Sequence, residues 1–138
     1  MKIKPCFVFD TNAIVSAALI PPSVNKQALQ KAERLGNIVF SIETHAELTS
    51  VLLRSKFDKY LSIEDRLEFI SRIETKYKKI ETVSSFTDCR DSKDNIFLNL
   101  AFDANADCLV SGDKDLLILH PFHETLIVDA GIFLNLFK

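Results

Sequence analysis

The chain has 138 residues, of which 47% are hydrophobic and 26% are charged. A chain of this length makes one domain and buries enough apolar surface to fold without disulfides, so we expect residues 1–138 to form a single domain. Seventeen basic against nineteen acidic side chains leave a formal net charge of −2. This composition excludes a disordered chain, and it leaves no overall positive charge to attract nucleic acid or acidic lipid.

The cysteines and the apolar stretches predict a cytoplasmic protein that does not enter a membrane. The three cysteines are odd in number and none has C-x-x-C spacing, and Cys6 and Cys108 lie within or beside apolar runs. Such thiols are typical of a reducing compartment. No apolar stretch reaches the ~18 residues that a membrane helix needs. Asp10 follows the basic start too early for a signal peptide.

Short apolar runs alternate with longer amphipathic patterns along the chain. Helical periodicity occupies residues 25–35, 44–53, 62–77 and 94–104, while residues 14–22 fit a helix less clearly. The alternation predicts an α/β fold of three layers, α/β/α, with a central parallel sheet of four or five strands. The predicted strands are Cys6–Phe9, Asn37–Phe40, Cys108–Val110, Leu126–Val128 and, more weakly, residues 80–83.

Four acidic residues fall where strands end or helices begin. Asp10 directly follows the first strand, and Asp113 follows the Cys108–Val110 strand. Glu47 lies in the early turns of the helix after the Asn37–Phe40 strand, and Asp94 opens the helix that leads to Cys108. Since ligands bind at the carboxyl ends of parallel strands, we expect these carboxylates to meet at one edge of the sheet.

Three of these acids also have a purely structural interpretation. Glu47 has the spacing to close a capping box with Thr44. Asp94 suits the first turn of a helix, where the dipole contributes ~0.3–1 kcal/mol, with Ser92 as the cap. Asp113 beside a glycine is also typical of a turn. Asp10 ends an apolar strand and therefore needs a partner.

A cluster of carboxylates predicts a bound cation. Two carboxylates ~4 Å apart repel by roughly 4 kcal/mol at an effective dielectric near 20, so four would either protonate or bind a cation. His45, His120 and His123 are scattered, which argues against zinc. An all-oxygen site favours Mg²⁺ or Mn²⁺. The chemistry indicated is metal-assisted hydrolysis of a phosphodiester.

Four motifs in order resemble those of the PIN-domain ribonucleases. The resemblance covers nearly the whole chain and is greatest to the branch known as toxins of bacterial toxin–antitoxin systems. It implies a PIN-like fold with a negatively charged pocket that holds Mg²⁺ or Mn²⁺. The motifs are Phe9-Asp10-Thr11-Asn12, residues 41–48 with Glu47, residues 88–95 with Asp94, and residues 110–117 with Asp113.

The resemblance also implies roles for individual residues. Asp10 and Asp94 match direct metal ligands, Glu47 matches a ligand or a residue that positions the attacking water, and Asp113 matches a ligand of a second metal or one acting through water. Asp91 and Asp115 are expected to be accessory, with Asp115 capping a short helix at 116–118. The implied set is the catalytic and metal-binding quartet Asp10, Glu47, Asp94 and Asp113, with supporting residues Thr11, Asn12 and Ser111.

The partners implied are an RNA substrate, an antitoxin protein and a second copy in a homodimer. Arg54, Lys93 and Lys114 are candidate contacts to RNA phosphates, and the alternative is that they are ordinary solvated surface residues. Apolar stripes at residues 133, 136 and 137 and at residues 14, 19 and 20 belong either to the core or to an interface.

Two other functions stay open at this point. The first is a phosphoryl-transfer or phosphatase-type α/β enzyme of the haloacid-dehalogenase kind. That family has an Asp-x-Asp motif, and here Asn12 replaces the second acid, which argues against it. The second is a non-catalytic PIN-like binding module. The complete quartet disfavours it, since unneeded acids crowded together only destabilise a fold.

Overall fold

The computed structural model describes residues 4–137. Its five strands form one parallel sheet in the order β3-β2-β1-β4-β5. The order reverses beside β1, so the crevice where such sheets bind ligands lies between the ends of β1 and β4. The strands are β1 (Cys6–Phe9), β2 (Asn37–Phe40), β3 (Lys78–Lys79), β4 (Cys108–Val110) and β5 (Leu126–Val128).

Helices cover both faces of the sheet. Short 3₁₀ turns at Ser55–Phe57 and Ser92–Asp94 precede α4 and α5. The helices are α1 (Thr11–Leu19), α2 (Val24–Leu35), α3 (Ile42–Leu52), α4 (Ile63–Lys76), α5 (Asn95–Asp103), α6 (Lys114–Leu117) and α7 (Ala130–Leu136).

Two cores lie on opposite sides of the sheet because successive strand residues face opposite ways. Phe7 and Phe9 of β1 enter the core beneath α1, α2, α3, α4 and α7. Cys6 and Val8 enter the core beneath α5 and α6. The predicted three-layer α/β/α architecture is confirmed.

Two elements differ from their predicted bounds. The fifth strand is Lys78–Lys79 and not residues 80–83, because the ladder with β2 ends where the Ile80 N–H bonds to the Phe40 carbonyl. The chain then bends away and its Val83 and Ser84 N–H groups bond to the Asp103 carboxylate. Of the ambiguous stretch 14–22, residues 14–19 belong to a helix that already begins at Thr11 and ends at Leu19, and residues 20–22 lie beyond it.

The helix caps correct three predictions. Ser41, not Thr44, caps α3, and the Ser41 and Thr44 side chains form the capping box between them. Asp113, not Asp115, caps α6 by accepting from the Asp115 N–H at 2.8 Å. Asp91, not Ser92, caps the turn at Ser92–Asp94. Glu47 therefore does not close the capping box of α3, and Asp115 does not cap α6.

The cysteines and the apolar stripes are mostly buried. Cys6, Cys89 and Cys108 are buried, which confirms the prediction made for Cys6 and Cys108. Most of the two apolar stripes packs inside: Ile14, Leu19 and Phe133 are buried, and Phe137 contacts Phe7 with ring centroids 5.3 Å apart. Ile20 and Leu136 are exposed. Within residues 4–137, no helix combines the length and the apolar character that crossing a membrane requires.

Candidate active site

Asp10 ends β1 at the crevice and is held there by two donors. Its carboxylate accepts from the Ala13 N–H at 2.8 Å, which caps α1, and from the Ser111 hydroxyl at 2.5 Å. The Asp10 side chain is buried, and this burial is the main reason that its pKa rises to about 6. The two hydrogen bonds lower the pKa, while the charges of Asp113 and Glu47 raise it.

Asp94 faces the same crevice from the turn before α5. Its carboxyl is buried, and among the described residues its Oδ2 atom has no hydrogen-bond partner. The pKa of Asp94 is raised to about 7, mainly by burial and then by a side-chain hydrogen bond with Asp113, the charge of Asp113 and the charges of Asp91 and Glu47. A buried carboxyl oxygen without a partner is costly, so this atom suits a water molecule or an ion that would complete it.

Glu47 and Asp113 reach the crevice from two other elements. Glu47 is half-buried on α3, and its Oε1 accepts a 2.5 Å hydrogen bond from the Thr11 hydroxyl. Asp113 follows β4, and its N–H donates to the Ser111 oxygen at 3.0 Å. The Ser111 hydroxyl therefore links the ends of β1 and β4, because it also donates to Asp10.

The structure brings the four predicted acids into mutual electrostatic contact. Both Glu47 and Asp113 raise the pKa of Asp10 and also that of Asp94. We call these four carboxyls the acidic cluster. Over residues 4–137, no three His, Cys, Asp or Glu side chains are arranged as a ready-made metal-binding group. The carboxyls of the acidic cluster interact electrostatically, but among the described residues they do not form a ready-made set of metal ligands.

The chemistry of the acidic cluster fits a hard divalent cation. Its donors are all oxygen, the Oδ2 of Asp94 lacks a partner among the described residues, and Asp10 and Asp94 hold their protons more tightly than usual. A divalent ion would replace those protons and neutralise the repulsion. The donor set matches Mg²⁺ or Mn²⁺ better than zinc.

The predicted supporting and basic residues have different surroundings. Thr11 and Ser111 are buried and hydrogen-bonded to the acidic cluster, whereas Asn12 is exposed. Arg54, Lys93 and Lys114 are exposed, and the Lys93 Nζ lies 3.8 Å from an Asp91 oxygen. These two lysines and the arginine are thus available to contact a polyanion.

Sequence reasoning missed three residues around the crevice. Asn95 is buried and orders the turn before α5, since its side chain accepts from the Cys89 N–H and donates to the Ser92 carbonyl. Arg90 binds Asp115 at 3.2 Å. Asp129 follows β5 at the same sheet edge as Asp10 and Asp113, so the strand-end rule applied to all strands would have found it.

Comparisons with known proteins agree with this fold. The uncharacterized protein MJ1680 of Methanocaldococcus jannaschii is 31% identical over 134 residues, covering 93% of this chain and 83% of that protein. The crystal structure of VapBC2 from Rickettsia felis bound to a DNA fragment from their promoter matches with a TM-score of 0.63 at 16% identity. That match covers 88% of this chain and 96% of the other. The PIN domain family model matches residues 6–115, and the chain therefore belongs to the PIN domain family.

Proposed function

We propose that the protein is a metal-dependent endoribonuclease that hydrolyses phosphodiester bonds of RNA. The observation that carries the proposal is the acidic cluster, in which the buried Oδ2 of Asp94 has no partner among the described residues. Membership of the PIN domain family supports it. Asp10 and Asp94 would hold Mg²⁺ or Mn²⁺, with Glu47 and Asp113 beside them.

The residues around the ion have separate tasks in this proposal. A divalent ion, when bound, lowers the pKa of a water molecule and neutralises charge that builds on the scissile phosphate. Asp10 is fixed in orientation by Ser111 and Ala13 before any ligand arrives. Glu47 is fixed by Thr11 through Oε1, which leaves Oε2 to hold the attacking water and accept its proton. Asp113 would act through water or at a second ion.

Basic residues near the acidic cluster would position the RNA backbone. Lys93 adjoins Asp94, and Lys114 adjoins Asp113. Arg54 lies in the loop between α3 and α4. Lys93 and Lys114 are thus sequence neighbours of two acids of the cluster, and we propose that all three cations contact RNA phosphates.

We further propose that this nuclease is the toxin of a toxin–antitoxin pair in the cytoplasm. The resemblance of its four motifs to the toxin branch of the family supports this, as does the likeness in fold to VapBC2. An antitoxin protein would cover the acidic cluster, and exposed Ile20 and Leu136 would contact the antitoxin or a second copy of the chain.

The test is cleavage of labelled RNA by purified protein with Mn²⁺, Mg²⁺ or EDTA. We expect cleavage with either metal, none with EDTA, and none by Asp10→Asn or Asp94→Asn. Asp88→Asn is the matched control, since Asp88 is an exposed carboxylate in the same stretch as Asp94. Cleavage that persists in both cluster variants would come from a contaminant and would end the proposal. Turnover of a small phosphate ester without RNA cleavage would favour a phosphatase.

A further inference from the structure

A second feature, a cavity of about 560 Å³, opens beside the acidic cluster. It lies among α1, α2, α7 and the loop after β4, and it shares Asp113 with the acidic cluster. We call it the side cavity. Its polar lining is Asn12, Ser16, Asn25, Asp113 and Asp129, and its remaining lining is Ala13, Val24, Gly112, Ala130 and Gly131.

The polar groups of the side cavity are free to bind a ligand. Among the described residues, the side-chain amides of Asn12 and Asn25 make no hydrogen bond to the protein. Asp129 uses Oδ1 to cap α7, accepting from the Ile132 N–H at 2.9 Å, and its Oδ2 stays free. Among the described residues, two side-chain amides and one carboxylate oxygen of the residues that line the side cavity thus have no partner.

The lining excludes a phosphate and suits a nucleobase. No lysine, arginine or histidine of the described chain lines the side cavity, and two carboxylates do, so a phosphate group would be repelled. Small residues, namely Gly112, Gly131, Ala13 and Ala130, also line the side cavity and leave room for an aromatic ring. Bases in single-stranded RNA are unstacked and are read through hydrogen bonds to their edges.

We propose that the side cavity binds the nucleobase next to the scissile phosphate and selects bases with an exocyclic amino group over uracil. The proposal rests on the proposed ribonuclease function. The carboxylate of Asp129 only accepts hydrogen bonds, so it pairs with the amino group of cytosine, adenine or guanine. On its pairing edge uracil offers a single N3–H donor flanked by two carbonyl oxygens, and those oxygens would face the carboxylate lone pairs, so uracil pairs less well with Asp129. Asn25 both donates and accepts, so it contacts any base.

Cleavage of a random-sequence RNA pool, with sequencing of the product ends, tests the selection. We expect wild-type protein to disfavour uracil about fivefold or more at one position flanking the cut. Asp129→Asn keeps a capping residue for α7 and adds a donor that suits uracil, so the bias should fall below twofold. Gln27→Ala, an exposed change on the same helix as Asn25, should keep the wild-type bias. An unchanged bias in Asp129→Asn, or none in the wild type, overturns the proposal.

A second variant fills the side cavity and leaves the Asp129 carboxylate in the sequence. A Cβ atom added at Gly131 would meet only the Asp129 Oδ1, at the ordinary contact distance of 3.5 Å. The side chain of Gly131→Leu can therefore enter the cavity while the backbone stays in place. We expect it to raise KM for RNA and to abolish the bias against uracil. An unchanged KM together with an unchanged bias would show that no base enters the cavity.

Nucleoside binding separates this proposal from the proposed ribonuclease function. Cytidine and uridine differ in the base by the amino or carbonyl group at one carbon and the proton on the neighbouring nitrogen. In NMR titrations of Asp94→Asn, we expect cytidine to shift the amide signals of Asn25, Gly112 and Gly131 at concentrations where uridine does not. If the wild type cleaves no RNA but this difference appears, the ribonuclease function fails and base selection stands. If RNA is cleaved but neither nucleoside binds, base selection fails alone.

Discussion

The Thr11 hydroxyl donates a 2.5 Å hydrogen bond to the Glu47 carboxylate across 36 positions of sequence. It joins the first turn of α1 to the middle of α3. Thr11 follows Asp10 directly, so one short segment both supplies an acid of the cluster and fixes the orientation of another. Glu47 is consequently held in place without any cation.

Replacing Thr11 tests this positioning. Thr11→Val keeps the shape of the buried side chain but removes the donor, so we expect RNA cleavage to fall by about 10–100-fold, the usual effect of losing a supporting hydrogen bond at a metal site. Thr11→Ser retains the hydroxyl and should keep most of the activity. The measurement is kcat for both variants beside their melting temperatures. Equal kcat for valine and serine would show that the bond does not position Glu47.

Removing the Asp10 charge should stabilise the protein in the absence of cations. The pKa of Asp10 is raised from 3.8 to about 6 by burial, so keeping it ionised at neutral pH costs about 3 kcal/mol. Protonated Asp10 contributes fully to the free energy of unfolding below pH 4. This contribution is lost as the pH rises through 6, where Asp10 ionises. An asparagine can still accept from Ala13 and can donate to the Ser111 oxygen.

Urea unfolding in EDTA measures that effect. We expect Asp10→Asn to exceed the wild type in free energy of unfolding at pH 8, with the difference shrinking toward pH 4. Asp88→Asn, an exposed change, should show no such trend. A variant that is less stable than the wild type at pH 8 would mean that Asp10 stabilises the fold as a charged cap.

Cation binding should weaken in acid. Mn²⁺ must replace the protons on Asp10 and Asp94, whose pKa values are raised to about 6 and about 7. Both groups are charged at pH 8 and mostly protonated at pH 5.5, so Mn²⁺ should raise the melting temperature far more at pH 8. Thermal denaturation with increasing MnCl₂ at the two pH values measures this. An equal rise at both values would place the bound ion elsewhere.

Local sequence signals predict those parts of the fold that local interactions determine. The strands Cys6–Phe9 and Cys108–Val110 are fully buried and read as continuous apolar runs. The acids that follow them meet because parallel strands end at one edge. The α/β/α layering follows from the same alternation of strands and helices.

Other features depend on contacts that the sequence pattern does not contain. The position of β3 is set by its pairing with Val39 and Phe40, and its own two lysines carry no apolar signal. The choice of Ser41 over Thr44 as a cap is ambiguous in sequence because both are good caps. Asp129 would have been predicted only if the residue after β5 had been considered in the same way as the residues that follow β1 and β4. The unpaired Oδ2 of Asp94 is visible only once α5 is packed.

Buried Arg66 organises the loop that carries Arg54. Its guanidinium donates to the carbonyls of Leu52 at 2.8 Å, Leu61 at 3.0 Å and Arg54 at 3.1 Å. It also pairs with the Asp58 carboxylate. Arg66→Met would leave these acceptors without their donor, so we expect a loss of about 3 kcal/mol in the free energy of unfolding, measured in urea. A loss below 1 kcal/mol would show that water replaces the guanidinium.

Arg54 itself should contribute to RNA affinity through charge. On an Asp94→Asn background that does not cleave, Arg54→Ala should reduce the slope of log Kd against log salt by about 0.7, the value for one phosphate contact to a single strand. Lys31→Ala is the matched control, since Lys31 lies on α2 and is not among the predicted phosphate contacts. Fluorescence anisotropy with a labelled RNA, at several salt concentrations, gives the slopes. If both variants lower the slope equally, the RNA follows general surface charge rather than the loop that Arg66 holds in place.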